Sequence, residues 1–287
     1  MAICAAVRAN RHLFALLLVT LVWGATFPVL KIATAQLSGV EVCALRFVIA
    51  AACLAPFVWR APRRAWVDGG VLGVLLLVSY VLQAYGLQFI SSNRSAFLTS
   101  LNVLMVPFLG LLFGNRLRPM VLGAAVLACV GIALMSWEGG AHALADSATV
   151  LGAALFALYV IVLSQRAARH EARQLAATQT VWMAVLGCVW LLLDAMGTNT
   201  LQTLPQRLDL PIGLGLLYLG AVATAAMLMV QTWAQAHVAA DKAALVYAME
   251  PVFAALFAWM WLAEGLGWVA GLGGALVVLA VVLGERK

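Results

Sequence analysis

Charge is scarce in this chain. Asp, Glu, Lys and Arg together make up 10% of its 287 residues, while 65% are hydrophobic. A soluble domain carries about a quarter charged residues and about half apolar ones, and one of this length could not hide so much apolar surface. A soluble enzyme and a disordered chain are therefore excluded. Cysteine is also sparse: Cys4, Cys43, Cys53, Cys129 and Cys188 show no CxxC or Cys/His spacing. They read as small apolar packing residues, which excludes a secreted disulfide frame and a thiolate metal site. His12, His142, His170 and His237 are too dispersed to share a metal. No P-loop, HExxH, GxSxG or GxGxxG occurs, and no nucleic-acid motif. The expectation is no cofactor, no metal and no nucleic-acid partner.

What the sequence has instead is long apolar runs. A helix needs about 20 apolar residues to cross the hydrocarbon core of a bilayer. Charges, prolines and glycines divide the chain into ten such runs, at about 12–34, 39–59, 67–89, 94–113, 118–137, 147–166, 174–196, 210–236, 240–262 and 265–284. The runs are continuously apolar rather than alternating, which favours helices over barrel strands. Arg8 and Arg11 precede the first run as in a signal peptide, but its apolar character continues to Leu30, so a retained first span is expected. The expected fold is all-α and integral to the membrane, with the lipid bilayer as its solvent.

Lys and Arg set the expected orientation. With the N-terminus in the cytoplasm, the inner loops and adjoining span ends hold Arg8, Arg11, Arg60, Arg63, Arg64, Arg116, Arg118, Arg166, Arg169, Arg173, Lys242, Arg286 and Lys287. The outer ones hold Lys31, Arg94 and Arg207. This asymmetry follows the positive-inside rule and puts both termini in the cytoplasm. The net charge of +6 is thereby read as topology. The outer connection 138–146 divides the chain into 1–137 and 147–287, five spans each. An odd number of spans inverts the second half relative to the first, as in inverted-repeat transporters whose substrate site lies between the repeats. Asn102–Leu134 and Glu250–Leu283 echo one another: a Pro-containing span, a tight polar turn, then a Gly-containing span.

The residues that carry a family resemblance are "WGATF" in the first span, "ALRFVIAA" in the second and the two turn-plus-Gly-span units, "LAEGL" at 262–266 above all. On these the chain resembles a ten-span drug/metabolite transporter of the EamA type, and within that family it is similar to bacterial amino-acid exporters, aromatic ones included. In the first-half turn, "GNRL", Asn115 stands where the family often has Glu. The resemblance implies an inner-membrane secondary transporter, not an enzyme. It would export small metabolites through a central cavity between the halves.

Polar side chains are costly in hydrocarbon and usually face protein or a wet cavity. Arg46, about two turns into the second span, reads either as an anchor for a substrate carboxylate or as a structural cation that snorkels or binds carbonyls. Glu250, at mid-depth before Pro251, reads as a proton carrier, a partner for an amino group, or a buried acid satisfied by neighbours. Helical spacing groups Thr20, Gly24, Phe27 and Lys31; Tyr80 and Gln83; Ser95, Thr99 and Asn102; Thr224, Gln231 and Gln235; and Tyr247 with Glu250. These polar faces read together as one cavity, or singly as interhelical hydrogen bonds. Trp23, Tyr80, Tyr159 and Tyr247 are deep aromatics that could stack on a substrate, contact an ammonium or simply pack. The cavity candidates are thus Trp23, Phe27, Tyr80, Gln83, Thr99, Asn102, Tyr159, Gln231, Tyr247 and Glu250. Arg46 and Glu250 are the candidates for charge and coupling. Proton coupling or facilitated transport, and a homo-oligomer through Gly-rich helices, are left open. So are export of lipophilic drugs, a channel, and an intramembrane enzyme.

Overall fold

The computed structural model describes residues 2–114, 116, 118–136, 142–196, 200–262 and 267–285. Asn115, Glu264, Gly265, Arg286 and Lys287, which carry parts of the turn and orientation readings above, lie outside them. Among the described residues every regular element is helical. Eight segments are long and apolar enough to cross a membrane: α1 (Arg11–Thr34), α2 (Gly39–Val58), α3 (Arg63–Phe89), α4 (Arg94–Leu111), α6 (Ala143–Arg169), α7 (Ala172–Asp194), α8 (Leu210–Gln235) and α9 (Ala240–Trp261). Two further helices, α5 (Pro119–Ser136) and α10 (Trp268–Glu285), carry shorter apolar stretches. The observed helices fall within a few residues of the sequence-based runs. Of the connection expected at 138–146, residues 143–146 belong to α6, which begins at Ala143, and a short helix, Thr200–Arg207, stands between α7 and α8.

Local signals explain where the helices start. Ser38 and Glu41 form a capping box at α2, with Ser38 N–H donating to Glu41 Oε2 at 2.6 Å and Glu41 N–H to Ser38 Oγ at 3.2 Å. The Ser91 hydroxyl accepts from Arg94 N–H at 3.0 Å before α4, and the Asp209 carboxylate from Ile212 N–H at 2.9 Å before α8. The perimeter of the bundle stays apolar: Phe14, Val67, Leu193 and Trp259 are exposed. That is the surface expected when hydrocarbon is the solvent.

Four helices lose regularity in mid-course. Pro28 and Pro251 have no N–H for the carbonyls four residues back, and the first pieces of α1 and α9 end at those residues, Gly24 and Tyr247. The two pieces of α4 meet at Leu101. In α8, Tyr218–Ala226 is π-helical. Irregular backbone at membrane depth is tolerated where protein or a cavity surrounds it, and these breaks converge on one place.

The helices pair in a definite pattern. α5 packs on α10 and α2 on α7; α3 packs on α6 and α7, as α8 does on α1 and α2; α4 lies against α6, as α9 does against α1. Gly69 and Gly73 let α3 approach α7 closely. A Cβ on Gly69 would stand 2.9 Å from Gln179 N, and one on Gly73 2.8 Å from Gln179 O. Gly131 does the same for α5 against Gly273 of α10, whereas Gly267 and Gly271 meet nothing within 4 Å.

Candidate functional site

A cavity lies where the helix breaks meet. Trp23 and Thr26 of α1, Arg46 of α2, Ser79, Tyr80 and Gln83 of α3, Thr99 of α4, Gly152 and Phe156 of α6, and Glu250 of α9 line it. Its atom-free space is about 450 Å³ with the part open to solvent counted, yet a water centre has only about 20 Å³ to move in. That is enough for a water and too little for a metabolite. The cavity is therefore contracted in this conformation.

Its two charges are held differently. Arg46 is 3% exposed and donates from Nε and Nη2 to Thr224 Oγ1, at 3.1 and 2.9 Å. The Thr224 hydroxyl in turn donates to Leu219 O at 2.7 Å, five residues back, within the π-helical stretch. Gly220 makes this possible, since a Cβ there would come within 2.7 Å of Arg46 O. The guanidinium carbon lies 4.8 Å from the Tyr80 ring centre, and Tyr80 stacks on Phe47 at 5.8 Å. Arg46 thus neither snorkels nor binds a helix-end carbonyl; it is held by a hydroxyl and an aromatic face, beside open space. Glu250 is 7% exposed. Among the described residues neither Arg46 nor Glu250 has an ion-pair partner, and Glu250 has no hydrogen-bond partner.

The remaining polar groups of the cavity are tied to backbone or to one another. Gln83 Nε2 donates to Thr99 Oγ1 at 3.1 Å, the Ser79 hydroxyl to Gly152 O at 2.8 Å and the Thr26 hydroxyl to Trp23 O at 2.6 Å. Trp23 Nε1 donates to Ala223 O at 2.9 Å, which fixes the indole against Phe156 and Tyr247, with ring centres 5.8 and 5.7 Å away.

Of the sequence-derived candidates, Trp23, Arg46, Tyr80, Gln83, Thr99 and Glu250 share the cavity. Tyr159, Gln231 and Tyr247 do not line it but form a sealed layer beside it. The Tyr159 hydroxyl donates to Gln231 Oε1 at 3.2 Å, Gln231 Nε2 to the Tyr247 hydroxyl at 3.0 Å, and the Tyr247 hydroxyl to Gln235 Oε1 at 3.0 Å. Asn102 Nδ2 donates to Thr99 O at 2.7 Å, while its buried Oδ1 accepts nothing among the described residues. Phe27 packs elsewhere, with Leu30, Leu87 and Ala254. Thr26, Ser79, Gly152 and Phe156 line the cavity without having been singled out. Ser79 was legible as a polar neighbour of Tyr80; Gly152 carries no sequence signal. Among the described residues no group of His, Cys, Asp and Glu could hold a metal, and Cys43, Cys53, Cys129 and Cys188 are free thiols.

Ion pairs join the first five helices to the last five at both ends of the bundle. At the end where α1 ends, Arg94 holds Asp146 by two bonds of 2.8 and 2.6 Å, and Arg207 holds Glu41, one bond being 2.9 Å. Arg207 lies outside the spanning helices, and its hydrogen bond to Glu41 raises its pKa further. At the end where α1 begins, Arg166 Nη1 lies 2.7 Å from Asp68 Oδ1, and His170 Nε2 lies 2.7 Å from Asp68 Oδ2.

The profile of the EamA-like transporter family matches residues 10–137 and 143–284. The chain belongs to the EamA-like transporter family. Two relatives, each an uncharacterized transporter of Archaeoglobus fulgidus, agree with this. One is 29% identical over 93% of this chain and 83% of its own length; the other is 23% identical over 97% and 98%. A crystal structure of a protein 17% identical superposes with a TM-score of 0.77, covering 96% of this chain and 97% of that one, which shows a shared fold. The chain is a multi-pass membrane protein of transporter type.

Proposed function

We propose that this protein exports small amphoteric metabolites, amino acids with apolar or aromatic side chains foremost, by alternating access through the cavity between its halves. One observation carries the reading: a buried guanidinium and a buried carboxyl line the same cavity, and neither has an ionic partner. Leaving a charge so placed is expensive, and a zwitterion supplies both missing partners at once. Its carboxylate meets Arg46 by charge-assisted hydrogen bonds, and its ammonium meets Glu250 and the faces of Trp23 and Tyr80. Phe156 and Trp23 offer an apolar wall for the side chain. Glu250 is also the group through which proton coupling would act.

The ten helices form two inverted five-helix repeats, 1–137 and 147–287, joined by 138–146. The family profile matches two segments that divide near this point. Replacing each helix in the main pairings, α5–α10, α3–α6, α2–α7 and α3–α7, by the one five positions on gives pairings that also occur, as a pseudo-twofold axis would require. The bundle end that carries Arg63, Arg118, Arg166, Arg169 and Lys242 is the basic one, so it faces the cytoplasm of a bacterial inner membrane, with both termini.

Counterflow in liposomes tests the reading. Labelled phenylalanine or leucine should enter saturably and be competed by other zwitterionic amino acids, and only weakly by the matching amine or carboxylic acid. A linear, uncompeted flux would point to a channel. Competition by the amine and by lipophilic cations alone would make this a drug exporter using Glu250 and the aromatic wall.

A further inference from the structure

We infer that the bundle end where α1 begins carries a binding site for an anionic phospholipid, seated across the seam between the two halves. A depression of about 1080 Å³ lies there, lined by Arg63, Arg64, Val67 and Asp68 at the start of α3 and by Arg169 and His170 at the end of α6. Its only acid is already committed, Asp68 being shared by Arg166 and His170. Arg63, Arg64 and Arg169 are exposed and have no ion-pair or hydrogen-bond partner among the described residues. Three arginines thus line one depression, with no partner anion for them among the described residues.

The chemistry of the remaining wall selects the kind of anion. Val67 lines the depression and is 62% exposed, and Val71 and Val74 continue it down the same face of α3, also exposed. On a helix, positions i, i+4 and i+7 make one stripe, so an apolar track runs from the cationic depression along the outside of the bundle. The Trp182 indole N–H donates to Trp66 O at 3.0 Å beside it, which sets an amphipathic ring next to the track. A free phosphate would use the arginines and leave the track idle. A phospholipid uses both, with its phosphate on the guanidiniums and an acyl chain on the valines. Because α3 and α6 belong to different halves, the bound head group would brace the joint that Asp68 already pins with Arg166 and His170.

The test uses the full chain in detergent, with lipid adducts counted by native mass spectrometry during titration with dioleoyl phosphatidylglycerol or dioleoyl phosphatidylcholine. Each arginine near an anionic lipid surface contributes about fivefold in affinity. Neutralising Arg63, Arg64 and Arg169 together as glutamines should therefore weaken phosphatidylglycerol binding roughly a hundredfold. Changing all three to lysine should restore most of it, and Arg60→Gln, outside the depression, should leave it within about twofold of the wild type. Equal binding by the wild type and the triple glutamine variant would overturn the proposal, as would an Arg60→Gln loss as large as theirs. Displacement of the lipid by millimolar inorganic phosphate would overturn it too, by showing a site for the free anion. Binding of phosphatidylcholine as tight as phosphatidylglycerol would do the same, by showing that charge plays no part.

Discussion

On the proposed reading Arg46 and Glu250 would divide the recognition of a zwitterion between them, and single substitutions should then split it. A hydrogen bond to a charged group contributes about 1.5–3 kcal/mol. Arg46→Gln should therefore raise the KM for amino acids roughly tenfold to a hundredfold while sparing competition by the corresponding amine. Glu250→Gln should do the reverse, weakening the amine and leaving the carboxylic acid as it was. Inhibition constants in the counterflow assay decide this, and a parallel loss for all ligands from either change would show a structural role instead. If Glu250 also carries the coupling proton, its Gln variant loses acceleration by an imposed pH gradient but keeps counterflow; unchanged gradient-driven flux would remove that role.

At the scale of the helix, the breaks define the cavity, and close packing holds them in place. The Gly69 contact leaves no space for a side chain between α3 and α7. Gly69→Val should thus cost about 1–3 kcal/mol by overpacking, seen as a lower unfolding temperature in detergent, with no change in which ligands compete. Eight of the ten expected spans were legible in the sequence because a bilayer sets a minimum length on a crossing helix, and Pro28 and Pro251 announced two of the breaks. The π-helical turn of α8 was not legible. It depends on Gly220 lying against Arg46 O and on the Arg46–Thr224 bonds, contacts between residues far apart in the chain. The same reason limited the site. Helical spacing groups Phe27 with Thr20, Gly24 and Lys31, but α1 breaks at Ala25, so Thr26 joins the cavity and Phe27 turns to a separate cluster. Spacing also gathered Gln231 and Tyr247 with the cavity residues, since a polar face looks the same whether it meets solute or another polar face.

In the whole molecule, ion pairs clamp the halves together where α1 ends, through Arg94–Asp146 and Glu41–Arg207. Opening toward that end must part them. Asp146→Asn combined with Arg207→Gln should favour the conformation open there. With native thiols removed, a Thr99→Cys probe should then react several times faster with an impermeant maleimide added on that side. An unchanged rate would mean that the ion pairs are not part of the closure.

The water-sized chamber bears on what the idle protein does to its cell. If, as proposed, the passage widens only around cargo, it would offer no standing file of solvent along which protons could hop, and the unloaded protein would not short-circuit the gradient that energises the membrane. Proteoliposomes without amino acid should hold an imposed proton-motive force as long as protein-free vesicles do and, if transport is proton-coupled, begin to dissipate it only when cargo is supplied.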